Sequence, residues 1–177
     1  MGKILTIQGS LSPQSRTAEV LARVHDCLTA RRVEFDHLDL RTFDLMHCDG
    51  RDRAGYNADT QTVCRMIEDA QAYIFGMPVY CWSISGPLKN LIDLSASGME
   101  NKVAGILCNA GSPRSFLASA DLVKILFYES NVMTVYPIVH TSGEDFEDRK
   151  IINPKVNRKI EAMVDGLLGQ LDGRTLR

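Results

Sequence analysis

A chain of 177 residues, 45% apolar and 24% charged, has the composition of an ordinary globular protein and is long enough to bury a core within one domain, 1–177. Its formal net charge is −2 and no basic run exceeds Arg31-Arg32, which excludes nucleic acid and an anionic membrane surface as main partners. No stretch approaches the roughly 20 apolar residues of a membrane span, and an anionic ligand would need a local site because the overall field does not attract one.

The chain opens with Met1-Gly2-Lys3 and no secretory h-region, and Lys3–Gln8 is apolar enough for a strand buried on both faces. The turn Gly9-Ser10-Leu11-Ser12-Pro13-Gln14-Ser15-Arg16-Thr17 follows, and Thr17–Arg32 has helical period, with Val20, Leu21, Val24, Cys27 and Leu28 on one face. Arg31-Arg32 falls in its last turn, where the helix dipole favours cations. A hydroxyl-rich turn between strand and helix suits phosphate, since helix N-terminal N–H groups are unsatisfied and the dipole favours an anion. The hydroxyls of Ser10, Ser12, Ser15 and Thr17 can each donate, and Arg16 adds charge if it turns inward. Ser15 or Thr17 serving only as N-cap would explain the same residues. With only Gly9 and no Gly-Lys-Ser/Thr, the turn suits a terminal monophosphate better than a transferable triphosphate.

Val33–Leu40 alternates like an edge strand, and Arg41–Asp59 is a polar connection long enough to contribute to a site or an interface. Thr60–Ala70 reads as a helix, Ala72–Gly76 as a third strand, Pro78–Gly86 as a loop and Leu88–Ser95 as a helix opened by Pro87. Lys102–Cys108 gives a fourth strand and Asn109–Arg114 a loop. Phe116–Tyr128 then gives a helix, and Val132–Val139 a fifth strand. His140–Asn153 reads as a solvated charged loop that includes Glu144–Asp148, Pro154–Leu171 as a long final helix, and Asp172–Arg177 as a frayed tail.

Strands alternating with helices predict an α/β fold: a five-stranded parallel sheet covered on both faces, with the common order 2-1-3-4-5. In that order the loops after strands 1, 3 and 4 meet where ligands bind. The cysteines at 27, 48, 64, 81 and 108 and the histidines at 25, 37, 47 and 140 show neither a disulfide framework nor metal-ligand spacing. No bound metal and a reducing, cytoplasmic setting are therefore expected.

The run from Pro78 to Asp93, with Pro78, Tyr80, Gly86, Leu88, Lys89, Asn90 and Asp93 in register, resembles the Pro-x-Tyr…Gly-x-Leu-Lys-Asn-x-x-Asp signature of the NAD(P)H-dependent FMN reductases, the flavodoxin-like group that includes quinone and azo-dye reductases. The opening Gly9–Thr17 turn is similar to that family's phosphate loop, and the order of elements agrees along essentially the whole chain. The resemblance implies a flavodoxin-like three-layer sandwich holding FMN. Its phosphate would lie on Ser10, Ser12, Ser15, Arg16 and Thr17, and its ring edge against Pro78, Val79, Tyr80, Cys81, Trp82 and Ser83. Asn109, Ala110, Gly111 and Ser112 would cover the pyrimidine side, where N–H donors would stabilise the charge of reduced flavin. It further implies hydride transfer from NADPH or NADH to flavin N5 and on to a flavin, quinone or similar small acceptor, in a homodimer or homotetramer with contacts near the Leu88–Ser97 helix and the 41–59 loop.

The sequence departs from the family pattern at Ser12, often Arg, at Thr17, often Asn, and at Trp82, often small. No catalytic residue is expected, because a flavin carries its own hydride chemistry. Tyr80 and Trp82 could instead be loop anchors, Cys81 is a bystander thiol, and Lys89 and Asp93 pair on a helix surface. A non-enzymatic, flavodoxin-type electron carrier is the alternative function.

Overall fold

The computed structural model describes residues 3–175, so Met1, Gly2, Leu176 and Arg177 lie outside the described residues. Strand β1 (Ile4–Gln8) has all five residues buried, because it runs between β2 (Phe35–Asp39) and β3 (Ala72–Tyr80) with a helical layer on each face. The pairing is parallel and in register from Ile4 against Phe35 and Ala72 to Gln8 against Asp39 and Gly76. Beyond β3 lies β5 (Val103–Asn109), flanked in turn by β6 (Met133–Thr134) and β7 (Val139–Thr141). With β6 and β7 as one interrupted strand, the order is the expected 2-1-3-4-5.

Period-2 alternation sends the strand side chains into two cores. Leu5, Ile7, Tyr73, Phe75 and Ile106 pack against α2 (Ala58–Asp69), α3 (Gly86–Ser95) and α4 (Ser119–Ser130). Ile4, Ile74, Val103 and Leu107 pack against α1 (Arg16–Ala30) and α5 (Pro154–Thr175), whose Val156, Ile160, Met163, Val164 and Leu167 form the predicted stripe.

The structure departs from the sequence-based expectation in several places. The third strand does not stop at Gly76: Met77 and Pro78 still pair with Cys108 and Asn109. After Tyr80 it turns at Cys81-Trp82 and returns as β4 (Ser83–Ile84), so Pro78–Gly86 is largely a hairpin rather than a loop. The fifth strand is split because Pro137, between β6 and β7, has no N–H to donate to the ladder. The 140–153 segment is ordered: His140 lies in β7, a turn at Gly143–Asp145 carries a capping box from Ser142 and Asp145, and β8 (Phe146–Glu147) pairs with β9 (Lys150–Ile151). Finally, residues 172–175 continue α5 instead of fraying. Arg31 follows α1 rather than lying within it, and its Nη1 donates to the Cys27 carbonyl at 3.2 Å, which serves the same end of the helix.

Candidate functional site

The first wall of the site is the β1–α1 turn. Its path depends on two glycines. A Cβ on Gly9 would lie 2.8 Å from the Gly76 carbonyl oxygen, and a Cβ on Gly76 would lie 2.6 Å from Leu21 Cδ1 and 2.8 Å from Thr17 Cγ2. These absences let α1 start hard against β3. Gln8, fully buried, then fixes the turn from below: its Nε2 donates to the Ser10 carbonyl at 2.9 Å and its Oε1 accepts from the Ser10 N–H at 3.3 Å.

Within the turn the hydroxyl oxygens accept from the turn's own amides. Ser12 N donates to Ser10 Oγ at 3.3 Å, Gln14 N to Ser12 Oγ at 3.2 Å, and Ala18 N to Ser15 Oγ at 3.1 Å. Ser15 is therefore the N-cap of α1, as the simpler sequence reading allowed. Capping does not compete with anion binding, however. Each hydroxyl that accepts from an amide still has its proton to donate outward. The amides of Arg16 and Thr17, at the first two helical positions, have no intrahelical acceptor. Ser10, Ser15 and Thr17 are buried, so this donor set is rigid.

The second and third walls are the carboxyl ends of β3 and β5. A single cavity of about 450 Å³ is lined by Ser10, Ser12, Gln14, Ser15, Arg16 and Thr17 from the turn, Pro78, Val79 and Tyr80 from β3, and Asn109, Ala110 and Gly111 after β5. Arg149, in the turn between β8 and β9, completes the lining. Thirteen residues from four separate segments thus converge at the topological switch point.

Among the expected site residues, Cys81, Trp82, Ser83 and Ser112 lie outside this lining. Trp82 is 61% exposed, so it is not packed as a loop anchor. Cys81 and Trp82 occupy left-handed backbone (φ 48° and 63°), the geometry of a two-residue turn normally filled by Asn-Gly. Ser83 turns away and donates from Oγ to Asp121 Oδ2 at 2.7 Å. The Ala110 N–H is already committed to the Thr141 carbonyl at 2.9 Å, and Asn109 Nδ2 donates to Thr141 Oγ1 at 2.9 Å. The remaining amide donors of that loop are those of Gly111 and Ser112.

Two lining residues were not anticipated. Gln14 sits in the turn and was passed over for its hydroxyl neighbours. Arg149 comes from a segment that reads as solvated charge, and nothing in its local sequence marks it. The cations at this end of the sheet each have a partner: Arg149 donates to Glu19 at 2.5 Å, the Arg16 guanidinium lies 5.7 Å from the centroid of the Phe146 ring, and Arg41 holds Asp39 at 2.5 Å while its Nη1 reaches the Ser12 carbonyl at 3.4 Å. Burial pushes the Asp39 carboxyl up, but the Arg41 hydrogen bonds outweigh it and leave Asp39 below its ordinary range.

Two titratable groups, the buried Cys108 of β5 and the half-buried His140 of β7, are both held toward the neutral form. Burial pushes the Cys108 thiol up to about 12, and burial, then the positive Lys159, lowers the His140 ring, which stacks on Phe116 at 4.8 Å. All five cysteines are free. Lys89 and Asp93 pair at 2.5 Å on the α3 surface, as expected. Among the described residues no cluster of three or more His, Cys, Asp or Glu could hold a metal ion, and no helix is long and apolar enough to cross a membrane.

Comparison with known proteins gives the family and the fold. The family model for NADPH-dependent FMN reductase matches residues 2–146. The chain is 31% identical over 165 residues to an NAD(P)H-dependent FAD/FMN reductase of Geobacillus thermodenitrificans, covering 89% of this chain and 87% of that protein. It is 28% identical over 166 residues to an NADH-dependent FMN reductase of Pseudomonas putida, covering 92% and 89%. The crystallised flavoenzyme NAD(P)H:(acceptor) oxidoreductase of Paracoccus denitrificans shares the fold with a TM-score of 0.76 at 18% identity, covering 96% of this chain and 98% of that one.

Proposed function

The chain belongs to the NADPH-dependent FMN reductase family, and we propose that its cavity at the ends of β1, β3 and β5 seats FMN for an oxidoreductase that draws on NADPH or NADH and serves a small acceptor such as a flavin or a quinone. The observation that carries this reading is the convergence of the hydroxyl-rich turn, the β3 end and the β5 end on one cavity of about 450 Å³, within the usual range for small-molecule sites. FMN supplies the hydride chemistry when bound, so the protein's task is binding and electrostatics.

The donor set fits a phosphate monoester. Ser10, Ser12 and Ser15 offer hydroxyl protons while their oxygens hold the turn in shape, and the amides of Arg16 and Thr17 add the helix N-terminus. Pro78, Val79 and Tyr80 offer a largely uncharged surface for the ring edge. The Gly111 and Ser112 amides are the donors available to stabilise negative charge on the ring's pyrimidine side. Cys81, Trp82 and Ser83 would line the outer approach instead of the ring pocket, with Trp82 free to meet nicotinamide or acceptor.

The working molecule is a homo-oligomer in this reading. Tyr128 on α4 is 82% exposed beside the exposed Phe127, next to a cleft of about 450 Å³ lined by Lys89, Ile92, Asp93 and Ala96 of α3 and its continuation and by Ile125. An exposed aromatic ring such as Tyr128, rimmed by Lys89, Asp93, Lys124 and Glu129, suits contact with a partner. Five free thiols suit a reducing compartment such as the cytoplasm. No observation favours the electron-carrier alternative.

Titrating the apoprotein with FMN while following flavin fluorescence tests the site, with saturable quenching at micromolar levels expected. Steady oxidation of NADPH or NADH in the presence of a quinone tests the activity. A protein that binds FMN but is silent with both nicotinamides would be a carrier.

A further inference from the structure

Arg149 lies beyond residues 2–146, the span the family model matches, yet it forms part of the wall of the cavity. It is delivered there by the hairpin of β8 and β9, in which Phe146 pairs with Ile151 and Glu147 with Lys150. The two turn residues, Asp148 and Arg149, both sit in the left-handed region, at φ 44° and 67°. That conformation costs a residue with a Cβ about 1–2 kcal/mol, which is why Asn-Gly is the usual occupant of such turns. An arginine at the second position gains nothing from the turn itself, and backbone held in such a state points to a role for the side chain.

The hairpin is docked on the start of α1 by two contacts. The Phe146 ring lies under the Arg16 guanidinium, and Arg149 Nη2 donates to Glu19 Oε1 at 2.5 Å. Glu19 occupies one donor of Arg149; a guanidinium has five, and the fork geometry leaves others for a second oxyanion. With Arg16 against Phe146 and Arg41 bound to Asp39, Arg149 is the cation that the hairpin brings to the start of α1, in the lining of the same cavity as Ser12, Gln14 and Ser15.

We propose that Arg149 is a phosphate-binding residue of the site: it completes the anion end of the cavity beside the Ser10–Thr17 turn and sets the protein's preference for FMN over unphosphorylated riboflavin. Glu19 is the residue that aims it. This rests on the FMN reading of the cavity.

The test is fluorescence titration of purified apoprotein with FMN and with riboflavin, for the natural protein, Arg149→Gln and Arg149→Lys. Loss of one charge-assisted hydrogen bond at this half-exposed position predicts about tenfold weaker FMN binding for Arg149→Gln. Riboflavin binding should be unchanged within about twofold, and Arg149→Lys should recover part of the difference by restoring the charge without the fork. Equal weakening toward both flavins would mean that Arg149 only holds the hairpin, and unchanged FMN affinity would remove it from the site; either result overturns the proposal while leaving the FMN reading intact. A change confined to the NADPH-over-NADH preference at saturating FMN would overturn it too, by assigning Arg149 to the nicotinamide's extra phosphate. A natural protein that binds neither flavin would sink the FMN reading itself.

Discussion

Single side chains decide how close the elements of this site can come. Gly76 is the tightest point, where α1 crosses β3: an added Cβ would meet Leu21 Cδ1 at 2.6 Å, Thr17 Cγ2 at 2.8 Å and the Ile7 carbonyl at 3.0 Å. Gly76→Ala is therefore expected to cost about 1–3 kcal/mol in urea unfolding, the usual range for overpacking, and to weaken FMN binding by displacing the Thr17 end of the turn. A second residue-scale feature lies at the far side of β1. The buried Thr6 hydroxyl lies 2.9 Å from both His25 Nε2 and His37 Nδ1, and His25 stacks on Phe35. Burial, then the neighbouring His37, pushes the His25 pKa from 6.5 down to about 4. The folded state thus prefers the neutral ring, the unfolded chain binds more protons between these values, and stability falls as pH drops from about 6.5 toward 4. Thermal melts across that window should show a falling Tm, by about 2–4 °C once screening of this half-exposed ring is allowed for. His25→Gln, which keeps a partner for Thr6, should reduce that pH dependence, the remainder coming from His37 and His140, whose rings burial also pushes down.

At the scale of elements, the hairpin of β3 and β4 is the feature that local sequence conceals most. Gly76 and Pro78 read as breakers, but Gly76 serves helix packing, and the strand continues because β5 pairs with it as far as Pro78 and β4 pairs with Val79 and Tyr80. The turn at Cys81-Trp82 has no Asn or Gly to announce it, and both residues have positive φ. Trp82→Gly relieves that conformation at a position with little packing to lose. It should leave stability unchanged or raise it by up to about 1 kcal/mol, after the entropic cost of glycine is subtracted. If Trp82 meets nicotinamide or acceptor, the same variant raises their KM several-fold while FMN affinity is kept; steady-state kinetics beside an FMN titration separates the two. The second hairpin, of β8 and β9, repeats this geometry at Asp148-Arg149 and was hidden for the same reason.

At the scale of the whole molecule, the α3–α4 face carries Phe127 and Tyr128, whose rings meet edge-on at 5.3 Å. If that face joins copies of the chain, Tyr128→Glu should shift the mass measured by light scattering toward a single chain, with FMN affinity unchanged. The order of elements, the two-sided burial of β1 and the amphipathic stripes of α1 and α5 were legible in the sequence, because periodicity of 2 or 3.6 with apolar residues on one face is a local signal. So were the hydroxyls of the turn from Ser10 to Thr17, though not whether they only cap α1 or also face a ligand, and the Pro78–Asp93 run supplied the family resemblance. The tertiary structure alone decided which of those residues face a common space. It brought Ser10, Pro78 and Asn109 to one cavity, turned Ser83 toward Asp121, spent the Ala110 amide on Thr141 and carried Arg149 in from the far end of the chain. The physical reason is that propensity and pattern act over a few residues, whereas side-chain direction at a strand end and the docking of a hairpin depend on partners 30 to 130 residues away, such as Thr141 for Asn109 and Glu19 for Arg149.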